Sequence, residues 1–263
     1  MRRLTITHIK KPSLEDTVTI EAMDMVKYVE NHLARTPCDF TRTIRRYMLG
    51  TLWTIVTGEK LPASSPKLAN ILGLLDQLLV VLGNPLSLLV QEYYWTAYIR
   101  QKLGFGEALT VITQIAELAR PLVDYNRKTY QPGQTRNIID AFLSKRDEAK
   151  FGSPFHGQPG LNNLDYLIAE QFFAGTDTLT QTLQFSMMYM ANNPTMQERV
   201  FQELSACSSI TYSNRTHTSY TEAVLHEVHR KANVAVAALP HETNGDIQAG
   251  NDILWLQSLR HAV

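Results

Sequence analysis

Inside an apolar stretch of this 263-residue chain lies Ala174-Gly175-Thr176-Asp177-Thr178, small side chains set beside an acid and an alcohol. Leu164, Ile168, Phe172, Gly175, Leu179, Leu183, Met187 and Met190 recur at helical spacing. The run therefore falls inside a helix expected from Leu164 to about Asn192. Glycine at a helix centre costs about 1 kcal/mol relative to alanine, so its presence needs a reason. Two are open: close packing against another helix, or the approach of something else to the backbone. Thr178 lies one turn beyond Ala174, where its hydroxyl can reach that carbonyl and loosen the local ladder. With the Asp177 carboxylate next to it, that hydroxyl could form a proton-delivery pair.

Other reactive residues say less by themselves. Glu227 and Arg230 stand three apart on an expected helix and share a face, an arrangement common on surfaces and worth a few tenths of a kcal/mol. His226-Glu227-Val228-His229 has the look of a zinc-hydrolase helix. That motif needs its second histidine four residues after the first, where Arg230 stands. Cys38 and Cys207 are too few and too scattered for a disulfide framework or a thiolate site, so a reducing compartment is expected. Asn214-Arg215-Thr216 is a glycosylation sequon, unused on a cytosolic face.

Helical patterns dominate the elements that must position these groups. Ile20 to Leu33 suits a helix, with Met23 and Val26 among its apolar positions and Glu21 and Asp24 among its polar ones. Phe40 to Gly58 is a second, ended by its glycine, and Gly58 to Lys67 a loop. Helical spacing resumes at Leu68, breaks at Asn84-Pro85, and returns from Glu107 to about Lys128. Gln131-Pro132-Gly133 is a turn, Asn137 to Ala149 a short helix, and Lys150 to Gly160 a surface loop. The helix from Leu164 would be a rod of roughly 43 Å, apolar on nearly every side, as a helix through a core should be. Asn193-Pro194 is an N-cap pair opening a helix to Leu204, and Tyr220 to Arg230 is the last helix. Val234 to Leu239 could begin a strand, and Gly245 to Leu256 looks like a hairpin.

Composition excludes several classes. Twenty-five basic residues balance 25 acidic ones, so there is no electrostatic footprint for nucleic acid. Met1-Arg2-Arg3-Leu4-Thr5 is not followed by a signal-peptide core. The most apolar stretch, Ile71 to Val90, carries Asp76, Gln77, Asn84 and Pro85 and reads as two short buried helices rather than a membrane span.

Taken in order, the motifs resemble the cytochrome P-450 family. Phe172-Phe173-Ala174-Gly175-Thr176-Asp177-Thr178 is close to its oxygen-binding helix. Tyr220 to Arg230 resembles its glutamate–arginine helix in the style of microsomal family-two members, and Arg136-Asn137-Ile138-Ile139-Asp140-Ala141-Phe142-Leu143 fits a segment those members carry upstream. The resemblance implies a mainly α fold with a small β region, a partial cytochrome P-450 fold around a long central helix, with residues 1–263 forming one incomplete domain. It implies a heme cofactor, and Asp177 and Thr178 as the catalytic pair delivering protons during dioxygen activation. Ala174 and Gly175 would leave room for oxygen and substrate, and Phe172 and Phe173 would shape an apolar pocket. Glu227 and Arg230 would form a buried structural ion pair, and Arg2 or Arg3 would meet a heme propionate. The complete protein would hydroxylate or epoxidise an apolar small molecule, with NADPH electrons from a reductase partner at the cytosolic face of the endoplasmic reticulum membrane.

Departures accompany the likeness. Leu179 stands where the family usually has a second hydroxyl, and the family's heme-binding Phe-x-x-Gly-x-Arg-x-Cys-x-Gly loop does not occur. The chain is therefore expected to be an internal piece, without anchor or heme thiolate. Alone it should give no shifted carbon-monoxide band and fold marginally around a half-satisfied Glu227–Arg230 pair. The alternative is a catalytically dead, truncated helical protein or an incomplete gene model.

Overall fold

The computed structural model describes residues 13–33, 37, 39–82, 105–153, 155–207, 210–234, 247–249 and 252–254. Helix α1 spans Ser13–His32, with Glu15 and Asp16 in its first turn, a sign matched to the helix dipole. Helix α2, Thr41–Thr57, begins where the Asp39 carboxylate accepts from the Thr41 amide at 2.8 Å. It ends at Gly58, whose φ of +79° is the left-handed conformation that glycine adopts most readily. Helix α3, Pro66–Leu82, opens on a proline, where the missing N–H costs nothing. Helix α4 spans Phe105–Thr129 and α5 Ile138–Asp147, the latter capped by Asn137, whose side chain accepts from the Asp140 amide.

Helix α6, Gly157–Asn192, is the longest of the described helices at 36 residues, about 54 Å. It begins inside the stretch expected to be a surface loop. Helix α7, Pro194–Ser205, follows after a single residue, then a 3-10 turn at Tyr212–His217 and helix α8, Ser219–Ala232. Asn193 holds the N-cap position of α7 with Pro194 after it, as expected, but its side-chain amide donates back to the Tyr189 carbonyl at 2.8 Å, closing the end of α6, and makes no cap bond to α7. Strands β1, Ile247–Ala249, and β2, Asp252–Leu254, pair antiparallel with Gln248 opposite Ile253. This six-residue ladder falls inside the hairpin expected over Gly245 to Leu256 and is all the strand among the described residues, so the fold is mainly α and no larger β region is seen. The strand expected over Val234–Leu239 lies outside the described residues, apart from Val234.

Helix α6 packs on α2 and α4, α4 on α3, and α1 on α2. The main core joins Trp53, Ile71, Leu75, Ile115, Ile139, Phe142, Ile168 and Phe172, and a smaller one gathers Val200, Val224, Val228 and Ala232. Two periodicity expectations need correction. Helix α6 is buried along its first half, whereas Leu179, Met187 and Met188 in its second half are exposed. Helix α1 turns Met23 and Val26 outward and buries Glu21. It meets α2 and the loop after it partly through polar groups: Lys60 contacts Glu21 and Asp24, and the Tyr47 hydroxyl donates to the Asp24 carbonyl.

Candidate active site on the long helix

The candidate positions at the centre of α6 do not share one face. Gly175 faces α2, where an added Cβ would come within 2.8 Å of a Leu52 methyl. The glycine thus admits a neighbouring helix, the first of the two reasons open for it. Ala174 and Thr178, one turn apart, are exposed on another side. The Thr178 hydroxyl donates to the Ala174 carbonyl at 2.7 Å. Thr180, Thr182 and Ser186 make the same bond one turn back, so the back-bond is a habit of this helix. Thr176 is fully buried, and its hydroxyl is the one buried polar side-chain atom without a partner among the described residues.

Asp177 lies on the α2 side. Its two oxygens accept from Nε and Nη2 of Arg45 at 2.6 and 3.2 Å, a two-toothed pair between side chains that are 15% and 16% exposed. The Nη1 of Arg45 bonds Asp76 of α3. Burial alone would pull the Arg45 guanidinium downward, but its bonds to the two carboxylates outweigh this and raise it above its ordinary value. Asp177 and Thr178 are therefore neighbours in sequence without sharing a face. Arg45 and Asp76 were missed by sequence reasoning. The available signal was Arg45 itself, four residues before Leu49 and seven before Leu52, a cation in step with apolar positions.

Phe172 is fully buried and stacks on Trp53, ring centroids 5.7 Å apart. It supports the core rather than lining an open pocket, and Phe173 is half-buried against the same core. Glu227 and Arg230 do form a two-toothed pair, with bonds of 2.6 and 2.7 Å, but at 49% and 68% exposure. Helix α8 buries the stripe Val224, Val228 and Ala232, and the pair lies off it. The expected buried, half-satisfied network is therefore not seen. Cys207 donates weakly to the Glu203 carbonyl at 3.4 Å, while Cys38 and Arg2 lie outside the described residues. Among the described residues, no group of three or more His, Cys, Asp or Glu could hold a metal ion.

The described helices form a scaffold whose fold known proteins share. A zebra fish cytochrome P-450 solved with abiraterone superposes with a TM-score of 0.77 at 21% identity, covering 99% of this chain and 60% of that one. A second zebra fish cytochrome P-450 structure, with progesterone, gives 0.78 at 20%. Among curated sequences, cytochrome P-450 2J2 of Homo sapiens is 27% identical over 260 residues, covering 93% of this chain and 50% of its own. Cytochrome P-450 2K4 of Oncorhynchus mykiss is 24% identical over 261 residues, covering 94% and 50%. The chain spans about half the length of these curated relatives. The family model "Cytochrome P-450" matches residues 1–254, and the chain belongs to that family.

The family's cofactor is heme, and the residues present fit one face of it. A flat macrocycle needs a surface without projecting side chains. Ala174 and the back-bonded Thr178 provide one, exposed and one turn apart.

Proposed function

We propose that the whole protein is a heme-dependent monooxygenase acting on an apolar small molecule by hydroxylation or epoxidation. The observation that carries this reading is the exposed Ala174–Thr178 turn on the long helix of a chain matched to the family over residues 1–254. Heme, when bound, would supply the dioxygen chemistry that amino-acid side chains lack. The protein's own part is positioning and protons. Thr178 spends its one proton on the Ala174 carbonyl, which leaves its oxygen lone pairs free to hold a water on the open face. Asp177, one residue earlier, is the acid of the pair in this reading, its carboxylate held on the α2 side by Arg45. Ala174 keeps the surface low enough for a substrate to lie close. In this reading Phe173, with Phe172 behind it, stiffens the helix beneath the site, and Glu227–Arg230 is a structural pair that further packing would cover.

Electrons would come from NADPH through a reductase partner at the cytosolic face of the endoplasmic reticulum, as the likeness to family-two members suggests. No helix among the described residues is long and apolar enough to cross a membrane. The small β region belongs to this reading of the whole protein, as does the contact of Arg2 with a heme propionate. The test is a carbon-monoxide difference spectrum of the reduced, heme-loaded whole protein. A shifted band is expected, and in Thr178→Ala product per NADPH should fall about tenfold while the band persists. A whole protein that takes up heme without giving that band ends the proposal.

A further inference from the structure

The C-terminal ends of α4 and α5 flank a solvent-open cleft of about 440 Å³, a volume in the range of small-molecule sites. Its charged lining divides into one closed pair and three free groups. Arg127 is bonded to Asp124, three residues before it, at 3.4 Å, so these two charges cancel. The side chains of Lys128, Arg146 and Asp147 form no hydrogen bond or ion pair with any described residue, and neither does the hydroxyl of half-buried Tyr130. A cation in a last helical turn matches the dipole of its own helix, which accounts for Lys128 on α4 and Arg146 on α5 taken singly. It does not account for two free cations from different helices lining one open space, where like charges repel. Asp147 offsets one of those charges, and one remains. Together an ammonium and a guanidinium match the near-double charge of a phosphate monoester at pH 7, and the guanidinium fork fits two of its oxygens. The Tyr130 hydroxyl adds a further donor. Asp147 can only accept, so it suits a ligand hydroxyl and not a phosphate oxygen. We propose that this cleft binds a small phosphate monoester with hydroxyl groups on its body, a sugar phosphate by class, with Lys128 and Arg146 on the phosphate and Asp147 on a hydroxyl. None of these groups belongs to the turn at residues 174–178, so binding here does not depend on the monooxygenase reading.

Isothermal titration of the whole protein at low ionic strength tests this, with ribose 5-phosphate, inorganic phosphate and ribose as the three probes. Ribose 5-phosphate should bind with a Kd below about 1 mM, inorganic phosphate about tenfold more weakly, and ribose not measurably. K128Q and R146Q should each weaken ribose 5-phosphate about tenfold. D147A should narrow the preference for the ester over inorganic phosphate from about tenfold to about twofold. Lys145 is the control for diffuse surface charge, because it stands beside Arg146 in sequence, does not line the cleft and is bonded to Glu148 at 2.7 Å. K145Q should therefore stay within about twofold of wild type. Absence of saturable binding by the wild-type protein would overturn the proposal. So would K145Q losing as much affinity as K128Q, or D147A keeping the full preference for the ester. Thermal melts show which variants fold, and if R146Q does not, exposed Lys128 still carries the test. A whole protein that lacks the carbon-monoxide band and yet binds ribose 5-phosphate would end the monooxygenase reading alone, so the two failures are distinguishable.

Discussion

Asn137 shows how much one side chain can hold. It is buried, accepts from the Asp140 amide, and donates to the Thr57 carbonyl and the Asn126 side chain, both at 2.8 Å. It therefore joins the end of α2, the end of α4 and the start of α5, with Arg136 closing the network by a two-toothed pair to the buried Asp140. Asn137→Ala would take away the partners of the Asp140 amide and the Thr57 carbonyl and leave the Asn126 oxygen to Arg136 alone. A loss of about 3 kcal/mol is expected in urea unfolding, well above an ordinary cap deletion. Gly175 makes the opposite case, a residue needed for what it lacks. Only the flexible end of Leu52 opposes a methyl there, so Gly175→Ala should change stability by less than about 1 kcal/mol, helped by better helix propensity. Gly175→Leu should cost about 2 kcal/mol by overpacking, and most of it should return when Leu52→Ala is added. Thermal melts of the four chains check both statements.

At the scale of elements, α8 depends on an acid outside it. The Glu203 carboxylate, from α7, accepts from the Thr221 hydroxyl and from the Tyr220 and Thr221 amides, satisfying donors at the first turn of α8. Those bonds, the Thr221 hydroxyl first, hold Glu203 below the ordinary glutamate value. A carboxylate lowered on folding contributes stability above its unfolded pKa, and that contribution fades as pH falls through the folded one. The unfolding midpoint of the wild-type chain should thus drop between about pH 5 and pH 3 more steeply than that of Glu203→Gln. Equal slopes would show that the cap carries no charge dependence. Element positions were largely legible because spacing and punctuation are local: Gly58 ends α2 and Pro66 opens α3 near where the pattern breaks. What spacing does not encode is which neighbour a face meets. Asn193 stands at the N-cap position, yet its side chain turns back to donate to the Tyr189 carbonyl. Helix α1 has an apolar stripe, yet docks by the polar face because Lys60 and Tyr47 stand opposite it. The same blindness hid Arg45, whose partners lie 31 and 132 residues away.

The molecule as a whole divides its stability unevenly. The main core draws on α2, α3, α4, α5 and the first half of α6, and buries Trp53, Phe142 and Phe172 completely. Beyond Thr180 the support thins. Four buried residues hold α7 and α8, backed by half-buried groups such as Phe185 and Tyr189, while Phe201 and Leu225 on those helices stay exposed. Opening free energy follows the apolar surface lost on opening, so regions with few buried contacts open first. Amide exchange should therefore be slowest in α2 and α5 and faster in α7 and α8, with protection along the continuous helix α6 falling from its first half to its second. The candidate turn at residues 174–178 sits near that boundary, rigid through Gly175 and Leu52 on one side and exposed at Thr178 on the other. Mass-spectrometric exchange at peptide resolution resolves the order. Uniform protection along α6 would mean that its second half is covered by contacts beyond the described ones, in a chain of this length or through association. A dilution series separates those two cases, because only association loses protection as the protein is diluted.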